Sequence, residues 1–365
     1  MDFAFTTDQE ELRSAARRLL AERYPAQRLH EVADSGPGWD ADVWPRLVDL
    51  GWVGLSAPDG GGSFLDEAVL LEEAGAALLP APLLSGVVAL PALVGGGADP
   101  TRPTALAWAE PAGPLAFASP DRVATVATAG GSGGWTLTGT KDDVADLGAA
   151  EQVVVVAGTD DGPGLFLVGL PAARATVTMR STTDRTRRIG ALGLDGTPAA
   201  ALAIGEQARV VLDAVALRAT AALALESVGV AQRVFELAAE HAKAREQFGR
   251  VIGTYQAVSH RVADAYVRLE LARSLAYRAA WAVETRESDA DEVSAQEATL
   301  AAAQAKAAAA DAAVFGAEAA IQVLGGTGFT WEHVAQRYYK RALGNQSWAG
   351  SAASLRALVA AALLD

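Results

Sequence analysis

The sequence has no cysteine. That excludes disulfides, thiolate nucleophiles, thiolate zinc sites and iron–sulfur clusters together. Histidine is scarce as well. His30, His241, His260 and His333 are scattered, with no HxxxH or HExxH spacing, so a histidine metal centre is not expected. Positive charge is in deficit: 30 Lys and Arg against 44 Asp and Glu leave a net charge of −14 and a pI near 4.8. Nucleic acid and anionic membrane surfaces are therefore not expected partners, because phosphates need clustered cations. What is present is apolar. Hydrophobic residues make up 51% of 365, enough to fill the cores of two or three domains. The opening MDFAFTTDQEELR is acidic and carries no signal-peptide pattern. The longest uncharged stretch, Ala74 to Ala98, would suffice to span a bilayer by length. Pro80, Pro82, Pro91 and Gly95-Gly96-Gly97 interrupt it, so it is read as buried helix ends and turns, with no membrane insertion. A cytoplasmic protein is expected.

Composition changes twice along the chain, which predicts domains at 1–103, 104–212 and 213–365. The first reads as helical. Thr7-Asp8-Gln9-Glu10 has capping-box spacing, and Leu12, Ala15, Ala16, Leu19 and Leu20 follow on one face. A second helix carries Val43, Leu47 and Leu50, and a third runs from about Leu65 to Leu78. The second region alternates with period two through Trp135-Thr-Leu-Thr-Gly-Thr, Gln152-Val-Val-Val-Val-Ala and Gly164-Leu-Phe-Leu-Val. The glycine run 130–134 and the 159–164 turn separate these stretches, which predicts an antiparallel β barrel or sandwich. The third predicts long helices over Ala214–Phe248, Tyr255–Thr285 and Glu292–Leu324, with short connections, and so an antiparallel four-helix bundle. The expected fold class is α+β.

Two segments of the last region suggest chemistry. Arg245-Glu246-Gln247-Phe248-Gly249, with Gln256 after it, could present a guanidinium fork to a phosphate, although a solvated helix end would look the same. Gln322-Val323-Leu-Gly325-Gly326-Thr-Gly328-Phe329 offers glycines that let a backbone approach a ligand. A helix C-cap accounts for one of those glycines and less well for three.

Together these segments resemble the acyl-CoA dehydrogenase family over essentially the whole chain. FTTDQEELR, Leu50-Gly-Trp-Val-Gly-Leu and Leu71-Glu-Glu-Ala-Gly resemble its N-terminal helical domain, and Gly134-Trp-Thr-Leu-Thr-Gly-Thr-Lys141 its middle β domain. The resemblance implies an FAD-dependent α,β-dehydrogenation of an acyl-CoA thioester, with electron-transfer flavoprotein as acceptor. It implies a tetramer in which Arg245, Phe248, Gln256, Gln322, Val323, Gly325 and Gly326 hold the adenine and pyrophosphate end of FAD across a subunit interface. A carboxylate removes the α-proton while the β-hydride passes to the flavin.

The sequence departs from that pattern on one side. The family's Thr-Glu-Pro-x-x-Gly-Ser segment is here Ala109-Glu110-Pro111-Ala112-Gly113-Pro114. The aromatic and hydroxyl that cover the flavin are here Asp143 and Ala145, within a stretch where Asp142 and Asp143 read as a surface turn. The usual base position holds Gly350, and the alternative position at the start of a helix holds Ala219. Glu226 is a lone acid in an apolar helix, about two turns or roughly 10 Å from Ala219. Burial would raise its pKa and make it a candidate base, and a structural hydrogen bond is the plainer reading. Groups serving this chain's own flavin ring are lost, while those lent across an interface are kept. That pattern is similar to the short subunit of bacterial α2β2 steroid side-chain acyl-CoA dehydrogenases, whose Gly-Phe-Thr-Trp-Glu-His stretch matches Gly328 to His333. The expected partner is then a homologous subunit with an intact base. A homomeric enzyme using a non-standard base, and a non-catalytic scaffold without FAD, stay open. His241 and His260 read as surface or interhelical, His333 as a possible contact near the second motif, and Asp184-Arg185-Thr186-Arg187 as an ion-paired segment. Trp331 and Trp348 are expected in the core or an interface.

Overall fold

A computed structural model describes residues 5–111, 123–130, 133–288 and 292–364. The chain packs as two compact units, 1–33 with 64–79 and 220–365, and 34–63 with 80–219.

The first unit is helical. It holds α1 (Thr7–Arg23), α2 (Ala26–Asp34, all but its last residue), α4 (Phe64–Ala77), the greater part of α6 (Gly205–Ala244), α7 (Gln256–Ser288), α8 (Ala295–Leu324), α9 (Ala335–Ser347) and α10 (Ala352–Leu364). The box opening α1 lies one residue earlier than expected. Thr6 is the extended cap, and its hydroxyl and Gln9 satisfy each other's backbone N–H groups. Alanine decides the packing of α8, against which α7, α9 and α10 all lie. Ala298, Ala302, Ala305, Ala309, Ala313 and Ala320 are buried along it. By length and composition the stretch Ala295–Phe329 that contains α8 could cross a bilayer, and here most of that apolar surface is buried in helix contacts. Where α4 meets α6, two glycines interlock. A Cβ on Gly75 would stand 2.1 Å from the Glu226 carbonyl, and one on Gly229 would stand 1.9 Å from the Glu72 carbonyl. Backbone meets backbone there, which only glycine allows. The acids of α4 are buried against cations: Glu73 accepts from Arg17 at 2.8 and 3.0 Å, and Glu72 from Arg273 at 3.1 Å and the Tyr277 hydroxyl at 2.7 Å.

The second unit joins α3 (Trp44–Asp49) and α5 (Leu83–Gly95) to a sheet of β1 (Thr104–Ala107), β2 (Val126–Ala129), β3 (Trp135–Ala145), β4 (Gln152–Thr159), β5 (Gly162–Gly169), β6 (Ala175–Met179) and β7 (Ile189–Ile204). The pairings β4–β2, β2–β3, β3–β7, β7–β5 and β5–β4 run in a closed circuit around Leu137, Val153, Val155, Phe166 and Leu192. The expectation of purely antiparallel strands is corrected, since β1 and β2 both run parallel to β4. Fully buried strands read as continuous apolar runs, which is why Val153 to Ala157 shows no alternation. The expected glycine-rich turn falls partly at residues 131–132, outside the described residues.

The Ala74–Ala98 stretch is also corrected. It contains a full helix, α5, with Pro91 inside it. Proline removes the N–H that would serve the carbonyl four residues back. That carbonyl belongs to Val87, and the buried Arg218 Nε donates to it at 2.9 Å, so a side chain replaces the missing helical bond.

Candidate functional site

The first motif is not the end of a helix. α6 stops at Ala244, and β8 (Glu246–Gln247) pairs with β9 (Arg250–Val251). Phe248 and Gly249 form the two-residue turn between them, both with positive φ (52° and 80°), as hairpins with matched twist require. Glycine adopts that conformation freely and phenylalanine does not, so Phe248 is held under backbone strain. The hairpin is pinned from behind. The Ile252 N–H donates to the Arg245 carbonyl at 2.8 Å, the Tyr255 hydroxyl to the Gln247 carbonyl at 3.1 Å, and the Arg250 guanidinium stacks over the Tyr255 ring at 4.0 Å. The outward groups are unspent. Phe248 is 94% exposed, and the Arg245 guanidinium has no hydrogen-bond partner among the described residues. Gln256 opens α7 with its side chain exposed.

The second motif closes α8. Gln322 is exposed, whereas Val323 turns inward and is buried, so any ligand would meet its backbone and not its side chain. The three glycines have different causes. Gly325 has φ 62° and ψ −138°, a region essentially closed to other residues. Gly328 is packed, since a Cβ there would meet the Ile321 carbonyl at 2.8 Å. Gly326 has neither cause: its φ is not positive, and nothing lies within 4 Å of where its Cβ would be. An exposed strained aromatic, an unpaired guanidinium, two free amides and open backbone at Gly325 and Gly326 fit the adenosine and diphosphate end of a dinucleotide.

Trp331, just beyond, is 70% exposed with Lys340 over its ring at 4.1 Å, so it is not a core residue. Trp348 is half-buried. His260 is exposed and His241 half-buried.

Glu226 lies in another setting. Its carboxylate is buried, with one oxygen accepting from Arg341 Nη1 at 2.8 Å and the other from Asn345 Nδ2 at 2.8 Å. Arg341 is itself 1% exposed. The acid is thus fixed between donors from α9, with no contact to an open site in these bonds. In the same helical unit Lys306 donates to the Gly350 carbonyl at 3.2 Å, and burial lowers its pKa to about 8. Gly350 is buried at φ 93° and Ala219 is buried, and neither has a group able to take a proton.

In the sheet unit, the Glu-Pro core and the Gly-Thr-Lys segment explain each other. The fully buried Lys141 ammonium is paired with Glu110 and donates to the Trp108 carbonyl at 3.2 Å. Burial holds the Lys141 pKa below the ordinary value, against the pull of Glu110. Ala112, Gly113 and Pro114 lie outside the described residues. The expected surface turn at Asp142 and Asp143 is corrected to a bulge inside β3, where the register with β7 shifts between Lys141 and Val144 and Asp143 takes φ 50°. Asp142 accepts from both ends of the Arg180 fork, with Nε at 2.7 Å. Burial pushes Asp142 up, but the Arg180 fork and the Asp143 N–H outweigh it and hold the carboxyl below the usual range. Burial and Asp142 push Asp143 up. In the 184–187 segment, Asp184 caps the Thr186 N–H at 2.8 Å and Arg185 pairs with Asp34 at 3.2 Å, as an ion-paired loop should.

Residues 6–103 match the family description "Acyl-CoA dehydrogenase, N-terminal domain", and residues 210–364 match "Acyl-CoA dehydrogenase, C-terminal domain". The acyl-CoA dehydrogenase IpdE2 of Mycobacterium tuberculosis is 31% identical over 93% of this chain and 92% of its own. Among solved structures, a variant of the Tcur3481-Tcur3483 steroid ACAD superposes with a TM-score of 0.83 at 29% identity, over 98% of this chain and 99% of that one. The ChsE4-ChsE5 complex from Mycobacterium tuberculosis superposes with a TM-score of 0.84 at 26% identity, over 100% and 99%.

Proposed function

The chain belongs to the acyl-CoA dehydrogenase family, and from that premise we propose that it is the short subunit of a heteromeric, α2β2 enzyme whose flavin site it completes. The cofactor is FAD, the flavin nucleotide of the family. When bound, it accepts the two electrons of α,β-dehydrogenation of an acyl-CoA thioester. This chain's part is to bind and orient. Arg245 offers its fork to the diphosphate, Gln256 and Gln322 offer amides, Gly325 and Gly326 admit the nucleotide to their backbone, and Phe248 covers it from water. Proton removal belongs to the partner. Ala219 and Gly350 supply no base, and Glu226 is committed to Arg341 and Asn345.

The single observation carrying this reading is the contrast between two sets of groups. The lending groups are exposed and unspent, while the positions that would serve a flavin in the chain's own sheet unit hold Asp143 and Ala145. A bulky steroid side-chain CoA thioester is the proposed substrate, in keeping with the steroid ACAD among the relatives. Electron-transfer flavoprotein is the proposed acceptor. The test is co-expression with a homologous acyl-CoA dehydrogenase chain that carries an intact base loop. The expected result is a co-purifying heteromer with turnover that neither chain shows alone. Acyl-CoA turnover by this chain alone would contradict the reading.

A further inference from the structure

A cleft of about 350 Å³ opens among α1, α2, α4, α6 and α9, all within the helical unit. Protein interiors leave few voids larger than a water molecule, and an apolar cavity of roughly 150 Å³ already binds benzene. None of the residues assigned to the flavin nucleotide lines this cleft. Its buried lining is apolar and fixed. Leu20 and Leu29 are each 1% exposed, and the Tyr338 hydroxyl donates to the Ala76 carbonyl at 2.5 Å. Val334 joins them at the start of α9, where His333 Nδ1 accepts the Ala335 N–H at 3.1 Å. Ala76 and Ala77 on α4, and Ala26 on the exposed rim, leave open the space that longer side chains would fill.

The polar part of the lining is charged but neutral in sum. Glu73 lies inside with its side chain 2% exposed, and Arg17, 56% exposed, meets it from the mouth through two hydrogen bonds of 2.8 and 3.0 Å. On α6, Arg233 donates to Glu236 at 2.9 Å. Each acid already has its own cation, so a charged ligand would bring an unpaired charge. The setting resists one: burial pushes the Glu73 carboxyl above its ordinary value even against Arg17. A medium that disfavours the charge of its own acid disfavours a ligand's charge as well. A neutral oxygen is a different matter. Arg17 spends Nε and one terminal nitrogen on Glu73, and a guanidinium has five N–H donors, so donors remain for an uncharged acceptor.

We propose that this cleft is a binding site for an uncharged, mostly apolar molecule of the size of a medium-chain alcohol, with a hydroxyl or carbonyl oxygen at one end. The apolar body packs on Leu20, Leu29 and Val334, and the oxygen accepts from the Arg17 guanidinium at the mouth. Binding here does not require the flavin reading to hold.

The test is calorimetric titration of the purified full chain with n-decanol, decanoate and decylammonium, which share a tail length and differ in charge. Decanol is expected to bind at a single site, and both ions about tenfold more weakly or worse. Ala77→Leu and Ala26→Leu place a larger side chain in the cleft from α4 and from the rim. Each is expected to weaken decanol binding by about tenfold or more and to melt no lower than the parent. Ala26 is exposed, so Ala26→Leu carries the test should Ala77→Leu fail to fold. Absence of decanol binding, an ion that binds as tightly as decanol, or decanol binding that either folded variant leaves unchanged would each overturn the proposal.

Discussion

The carboxylate of Glu226 is bracketed by the Arg341 guanidinium and the Asn345 amide, each at 2.8 Å. In the sequence it is a lone acid in an apolar helix, and a buried lone acid would be a strong base candidate. Its partners lie more than a hundred positions away on α9, so the sequence around Glu226 could not reveal them. Removing one member of such a pair leaves an uncompensated buried charge. Glu226→Ala is expected to lower stability by about 3–5 kcal/mol, read from the urea midpoint of the lone chain, because it removes the carboxylate that Arg341 and Asn345 are buried against. Lys306 was likewise hidden, a single cation inside an alanine-rich helix. Its folded pKa of about 8 lies below the unfolded value of 10.5, so between those values the unfolded chain binds more protons than the folded one. Stability contributed by this residue is therefore expected to rise as pH climbs from 8 to 10.5, by on the order of 3 kcal/mol. Lys306→Met should flatten that rise, as urea unfolding across the alkaline range would show. An unchanged slope in the variant would assign the rise to other groups.

At the scale of elements, periodicity made α1, α4, α7, α8 and strands β3, β4 and β5 legible to within a few residues. The errors fall where a side chain or a tertiary contact overrides a local rule. Pro91 reads as a helix breaker, and α5 survives it because Arg218 takes the Val87 carbonyl. Phe248 reads as the last turn of a helix, and it instead occupies a strained hairpin turn pinned by Tyr255 and Arg250. Asp142 and Asp143 read as a turn, and the continuing β7 partner makes them a bulge. The crossing of α4 and α6 was not legible at all, because a helical glycine has no local signature of close approach. Gly229→Ala is expected to cost about 3 kcal/mol or more, since its Cβ would sit 1.9 Å from a backbone carbonyl that cannot rotate away. Gly97→Ala, where the space is open, makes the contrast: the strain of its φ of 67° is the only penalty, about 1 kcal/mol. Comparable melting losses in both variants would argue against the interlocked crossing.

At the scale of the whole molecule, the family pattern in the sequence carried the architecture of helical ends around a middle β region. What the motifs alone could not tell was which groups remain unspent after folding. Arg245, Phe248, Gln322, Gly325 and Gly326 do, and Glu110, Lys141 and Glu226 do not. The retained Glu-Pro and Gly-Thr-Lys segments are tied to each other within the sheet unit through Glu110 and Lys141. If the chain lends one half of a flavin site to a partner, as proposed, it should hold no flavin by itself. The most direct measurement is visible flavin absorbance per polypeptide, taken on this protein purified alone and again on the complex with its homologous partner. The account expects a colourless lone chain and a yellow complex that bleaches on reduction by acyl-CoA. A lone chain carrying one FAD per polypeptide would contradict it.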